Sequence, residues 1–178
     1  GTKITTAGLH LAEEYEKLCG LDLRNTGLDG TFKVPRFKST NNSYGSGIIG
    51  QQVYMPNTDV EVIDVSDAGT LRMLHASNCK NLRKISGTDQ LSRLSALEVR
   101  NVPNLHYLDL PNLKKDHAGA GILDVSGTDL AYLNISDDID VFQYNSGFTS
   151  SNLKTQSIDV EIGGYDETRG YWADLEAA

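Results

Sequence analysis

One spacing recurs between Val60 and Tyr144: an apolar residue, a second two positions on, a third about eight positions from the first, and then a new copy. Ile63, Val65 and Leu71 open it, Leu74, Ala76 and Leu82 repeat it, and Ile85 follows. Leu97, Val99 and Leu105 come next, then Leu108, Leu110 and Leu113. After an insertion the comb resumes at Leu123, Val125 and Leu130, then at Leu133, Ile135 and Val141. From Ile63 to Leu108 the first positions step by eleven, eleven, twelve and eleven residues. So short a unit cannot bury its apolar side alone, and a fixed period of this kind requires successive copies to stack. The spacing predicts a coiled solenoid with the leucine comb inside.

The words within the comb carry a resemblance. Ile63-Asp-Val-Ser66, Leu97-Glu-Val-Arg100, Leu108-Asp-Leu110, Leu123-Asp-Val-Ser126 and Leu133-Asn-Ile-Ser136 resemble the LDVS-type units of bacterial leucine-rich repeat proteins. Two halves make a repeat of about 22 residues, inside the usual window for that architecture. Upstream, Leu21-Asp-Leu-Arg-Asn-Thr-Gly-Leu-Asp-Gly30 is similar to the LxLxxNxLxG form, with Thr26 standing where that form has Asn. The resemblance implies an α+β chain: a leucine-rich repeat solenoid of short parallel strands with an N-terminal capping helix and a C-terminal cap. Residues 1–58 would hold the capping helix, the first repeat and an inserted loop, residues 59–148 the array, and residues 149–178 the C-terminal cap. It also implies a binding role for a protein or glycan at a bacterial cell surface or outside the cell.

Charge and composition bound the partners. A net charge of −8 and a pI near 4.9 repel phosphate backbones, which argues against nucleic acid. No apolar run approaches the length a membrane-spanning helix needs. A start at Gly1 rather than Met reads as a trimmed chain, so the lack of a leader says nothing of secretion. Cys19 and Cys79 lie in different segments and read as buried free thiols; no CxxC suggests metal or redox work. The chain is expected to be a monomer without cofactor or metal.

In chain order, Thr6–Leu18 reads as a helix with Leu11, Tyr15 and Leu18 on one face, stopped by Gly20 and placed over the open end of the array. Residues 29–58 interrupt the comb and read as an inserted loop or hairpin. Within it Gly45–Gly50 spells GxGxxG, but polar residues precede it where a nucleotide-binding turn needs a strand, so a plain turn is preferred. A second insertion spans 114–121. Past Tyr144, Ile158, Val160 and Ile162 alternate with acids as in a strand, and Tyr165, Tyr171 and Trp172 are placed to close the far end of the core.

Side chains alternate across a strand, so the neighbours of buried comb residues point outward. One side is expected to stack Asp64, Ser86, Asp109 and Asn134, with Lys84, Tyr107 and Tyr132 in the adjoining column. The other stacks His75, Glu98, Asp124 and Gln143, with Met73, Ala96 and Ile122 adjoining. Tyr107 and Tyr132 would sit about 5 Å apart on neighbouring rungs as an aromatic platform, or simply brace the sheet. Tyr107, Tyr132, Asp109 and Asn134 are therefore the candidate ligand-binding residues. Catalytic signatures are missing: there is no HExxH, GxSxG or GxxxxGK, and His10, His75, His106 and His117 are scattered. Asp137-Asp-Ile-Asp140 lacks the spacing and glycine of a calcium loop and reads as a solvated turn. The alternatives to a non-catalytic binding module are a structural spacer of a larger surface protein and, less favoured, a glycan hydrolase using Glu98 and Asp124.

Overall fold

Short apolar-x-apolar triplets such as Leu74-His75-Ala76 are long enough for one strand and no more, so each must borrow a neighbour's edge to satisfy its backbone. The computed structural model describes residues 18, 20–37, 51–113, 122–135, 140–142, 162–166 and 171–175, with residue 122 and the last three stretches as backbone alone. Thirteen strands are present among them. A six-stranded parallel sheet runs β1 (Gly20–Asp22), β3 (Gln51–Tyr54), β5 (Leu71–His75), β7 (Ala96–Glu98), β9 (Ile122–Asp124), β11 (Asp140–Phe142). The strands between them form β2 (Asp29–Lys33), β4 (Asp59–Asp64), β6 (Lys84–Ser86) as one parallel sheet, and β8 (Tyr107–Leu110) with β10 (Tyr132–Ile135) as another. From β1 to β11, strands thus pair in parallel with the strand two along except between β6 and β8, and one circuit of chain contributes a strand to each side.

Register lines up the comb. Leu21, Val53, Leu74, Leu97, Leu123 and Val141 occupy equivalent positions in the large sheet, while Phe32, Ile63 and Ile85 do so in the three-stranded one. Side chains of both sides meet in a single apolar cluster, with Leu74 and Leu123 fully buried and Leu97 nearly so. Burying one such leucine contributes about 1.5–3 kcal/mol, and no rung has enough of them to stand alone.

The corners repeat as well. Asn25, Asn57, Asn78 and Asn101 all take positive φ, between 53° and 60°, a region asparagine tolerates better than most residues. Their backbone N–H groups donate to carbonyls of the next circuit: Pro56, Ser77, Arg100 and Ser126, at 2.7–3.2 Å. Their amides link too, Asn57 to Asn25 and Asn101 to Asn78, each at 3.0 Å. The residue after each corner asparagine turns inward. Thr26, Thr58 and Cys79 hydrogen-bond the carbonyls of Leu23, Met55 and Met55, and Thr128, in the next circuit, bonds that of Val125. Thr26 therefore serves the corner with its hydroxyl. Cys79 is a buried free thiol, and burial pushes its pKa up.

Several expectations need correction. Helix is nearly absent among the described residues, which hold one 3-10 turn at Thr88–Gln90, so the protein is strand-rich there rather than α+β. The helix expected over Thr6–Leu18 lies outside the described residues except for Leu18, which is non-helical and packs against the core. Residues 29–58 do not interrupt the sheets: β2 and β3 fall inside this span, and Val53 and Met55 are fully buried core residues. A comb counted at a fixed step misses them because extra residues displace the next rung. Thr40–Gly47 and the GxGxxG glycines from Gly45 to Gly50 lie outside the described residues, as do 114–121, His10, His117, Cys19 and Asp137–Ile139.

The outward column from Asp64 to Asn134 is also not continuous. Asp64 pairs with Ser86 and Asp109 with Asn134, but β6 and β8 share no ladder. Side-chain amides bridge the step instead: Asn104 donates to the Lys80 carbonyl at 2.7 Å and Asn112 to the Asp89 carbonyl at 2.8 Å. In the large sheet Asp124 pairs with Phe142, not with Gln143. Only residues 136–139 separate β10 from β11, against 87–95 between β6 and β7, so the last rung begins one residue early. At the C-terminus β12 (Ile162–Asp166) and β13 (Tyr171–Leu175) pair antiparallel. Ile158 and Val160 lie outside the described residues, and so do the side chains of Tyr165, Tyr171 and Trp172.

Candidate aromatic recognition face and a buried charged row

In β8 and β10, Leu108, Leu110, Leu133 and Ile135 point inward and are buried, which forces Tyr107, Asp109, Tyr132 and Asn134 to the outside. Parallel in-register pairing sets Tyr132 beside Tyr107 and Asn134 beside Asp109. The two rings stack with centroids 4.5 Å apart and planes 6° from parallel, close to the spacing between strands. One step along, Asn134 Nδ2 donates to Asp109 Oδ1 at 2.8 Å. Tyr107 is 56% exposed and is the one large hydrophobic side chain among the described residues left so open. Desolvation, then the Asp109 carboxylate and Tyr132, raise the Tyr107 phenol above its ordinary pKa, so it stays a neutral donor and acceptor at physiological pH. All four candidate residues thus lie together on one face.

The opposite side carries a denser row. Register places Tyr54, His75, Glu98 and Asp124 side by side on consecutive strands. They face away from the leucines, yet His75 and Glu98 are buried and Asp124 is 1% exposed. Arg100, two residues beyond Glu98, reconciles charge with burial: it holds Glu98 Oε2 through Nη2 at 2.8 Å and Asp124 Oδ2 through Nε at 2.8 Å. The second contact is short but off the hydrogen-bonding axis, so it acts as an ion pair. The other Asp124 oxygen accepts from the Ser126 N–H at 3.1 Å and the Ser126 hydroxyl at 2.6 Å. Burial nonetheless pushes the Asp124 carboxyl above its ordinary range, against the pull of Ser126 and Arg100.

His75 Nδ1 lies 3.4 Å from Glu98 Oε2 and its ring meets Tyr54 edge-on at 4.2 Å. Burial lowers the His75 pKa. Glu98 opposes that shift, but it is already neutralised by Arg100, so the neutral imidazole is favoured. Arg24 continues the row, with its guanidinium 4.9 Å from the Tyr54 ring and bound to Asp22 at 2.6 Å. In the adjoining column Met73 is half-buried and Ala96 buried, which agrees with packing rather than an exposed apolar patch.

Glu98 and Asp124, the pair named for hydrolysis, therefore share a counter-ion and are shut from solvent. Sequence reasoning placed them in one column but missed Arg100. The legible signal was the arginine two residues after Glu98, just past the strand and near two acids one rung apart. Among the described residues no group of three or more His, Cys, Asp or Glu side chains is placed to hold a metal ion, and no helix is long and apolar enough to cross a membrane. No protein-family model, curated protein or solved structure matches the chain.

Proposed function

We propose that the two sides are faces of one leucine-rich repeat solenoid of the bacterial LDVS kind, and that it serves as a non-catalytic recognition module at a cell surface or outside the cell. Its ligand, a protein or a glycan, is engaged by Tyr107, Tyr132, Asp109 and Asn134. The observation that carries this reading is the Tyr107–Tyr132 stack, because it leaves a large ring open to water. Exposing an aromatic ring forfeits the favourable transfer that burial would give, and a rigid ring at a surface is a favoured anchor for a partner. Strand alternation and in-register pairing hold the ring with few rotamers to lose on binding.

The buried row supports the same division of labour. Arg100 is shared by both acids there, so that side is occupied in joining neighbouring strands while the tyrosine side is left to recognise. A hydrolase would need two carboxylates free in a cleft, whereas Glu98 and Asp124 are engaged by Arg100. Tyr107→Ala and Tyr132→Ala compared with the parent on glycan and protein arrays test the proposal. The expected result is loss of the parent's hits from both variants with unchanged thermal stability for Tyr107→Ala. Unchanged binding profiles would place recognition elsewhere.

A further inference from the structure

The open ring has a particular setting. Tyr132 covers one face of Tyr107, so the remaining face looks along the sheet toward β6, the neighbouring strand on that side. No backbone ladder closes the step between β6 and β8. On β6, alternation about the buried Ile85 leaves Lys84, exposed, and Ser86, half-buried, on the outer side. The exposed ring thus has a carboxylate and, through Asp109, an amide one step along its own strands, and the next strand over offers an ammonium and a hydroxyl on its outer side.

Resting on the recognition role proposed above, we propose that this face takes the neutral pyranose ring of a glycan, stacked on the free side of Tyr107 with its hydroxyls shared among Asp109, Ser86 and Lys84. A pyranose presents axial C–H groups on one face and hydroxyls around its rim. The electron-rich face of the tyrosine ring attracts the polarised C–H bonds, and the polar border matches the hydroxyls. A protein partner fits less well: hot spots gather several anchors within a patch of about 800 Å² per side, and among the described residues Tyr107 is the one large apolar side chain left so open. Charge selects within glycans. Asp109 beside the ring and a net charge of −8 on the chain disfavour sulfated or carboxylated sugars.

The test uses neutral oligosaccharides built from glucose, N-acetylglucosamine, galactose or mannose, titrated into the full chain to millimolar concentration, with heparin as the anionic control. Tyrosine ring resonances report binding, and Tyr107→Phe identifies the Tyr107 signals. Binding by at least one neutral member, kept by Tyr107→Phe and weakened several-fold to about tenfold by Tyr107→Ala, is the expected result. Asp109→Ala should weaken it further, and heparin should leave the Tyr107 signals unmoved. If no neutral sugar moves those signals while a protein on the array needs Tyr107, the sugar assignment falls and the recognition role stands. Loss of both kinds of binding overturns both, and sugar binding that survives Tyr107→Ala overturns the assignment alone.

Discussion

Replacing Gly87 with alanine asks whether successive circuits lie as close as the register implies. Gly87 has φ 78° and follows β6 where the chain passes over Ser66 of the preceding circuit. A methyl group there would sit 2.6 Å from both the backbone N and the Cα of Ser66, against a comfortable separation of about 3.5–4.0 Å. The left-handed backbone costs alanine about 1–2 kcal/mol. Opening two packed backbones by nearly 1 Å adds about 1–3 kcal/mol, the range for overpacking. Stiffening of the unfolded chain returns about 0.4–1 kcal/mol, leaving a net loss of roughly 1.5–4 kcal/mol.

Gly30 provides the control, since its φ is 61° but an added methyl group meets nothing within 4 Å. Gly30→Ala should therefore lose only about 1 kcal/mol, the backbone cost less the unfolded-state gain. Urea unfolding of the two variants and the parent, with midpoints and slopes fitted together, separates the terms. If Gly87→Ala is no less stable than Gly30→Ala, the close stacking of Ser66 under Gly87 is wrong, and the register of the three-stranded sheet with it.

Other perturbations probe the core and the charged row. Leu97→Ala removes a side chain 1% exposed between Leu74 and Leu123 and should cost about 2–5 kcal/mol; a variant melting with the parent would refute its place in the core. Arg100→Met strips the counter-charge from buried Glu98 and Asp124. A loss of about 2–3 kcal/mol is expected, at or below the low end for a broken buried pair because Arg100 is itself partly exposed, and adding Glu98→Gln should restore part of it in a denaturation cycle. His75 has its folded pKa below the ordinary imidazole value of 6.5, so the unfolded chain takes the proton first as pH falls. Stability should thus decline as pH drops below about 6.5 and level off below the folded pKa, a slope that His75→Gln should flatten in unfolding curves at stepped pH.

The apolar-x-apolar triplets and their near-constant step are a one-dimensional signal, and they sufficed to place Leu74, Leu97 and Leu123 on successive rungs and to bring Tyr107 beside Tyr132. Strand alternation is local geometry, so a correct comb carries the outward columns with it. Where insertions changed the step, counting failed: Val53 and Met55 went unseen, and Phe142 took the place expected of Gln143.

By itself the sequence determined which residues seek the interior and at what interval, because burial and strand pitch depend on neighbours along the chain. Tertiary structure alone decided that Arg100 reaches both Glu98 and Asp124, that the asparagine corners lock circuit to circuit, and that the step between β6 and β8 is carried by Asn104 and Asn112. Those contacts join residues some 20 or more positions apart wherever they cross from one circuit to another, so their existence depends on how far each loop displaces the next circuit. The openness of Tyr107 belongs to the same class: pairing places the ring on the surface, and only the packing around it determines how much of it water reaches.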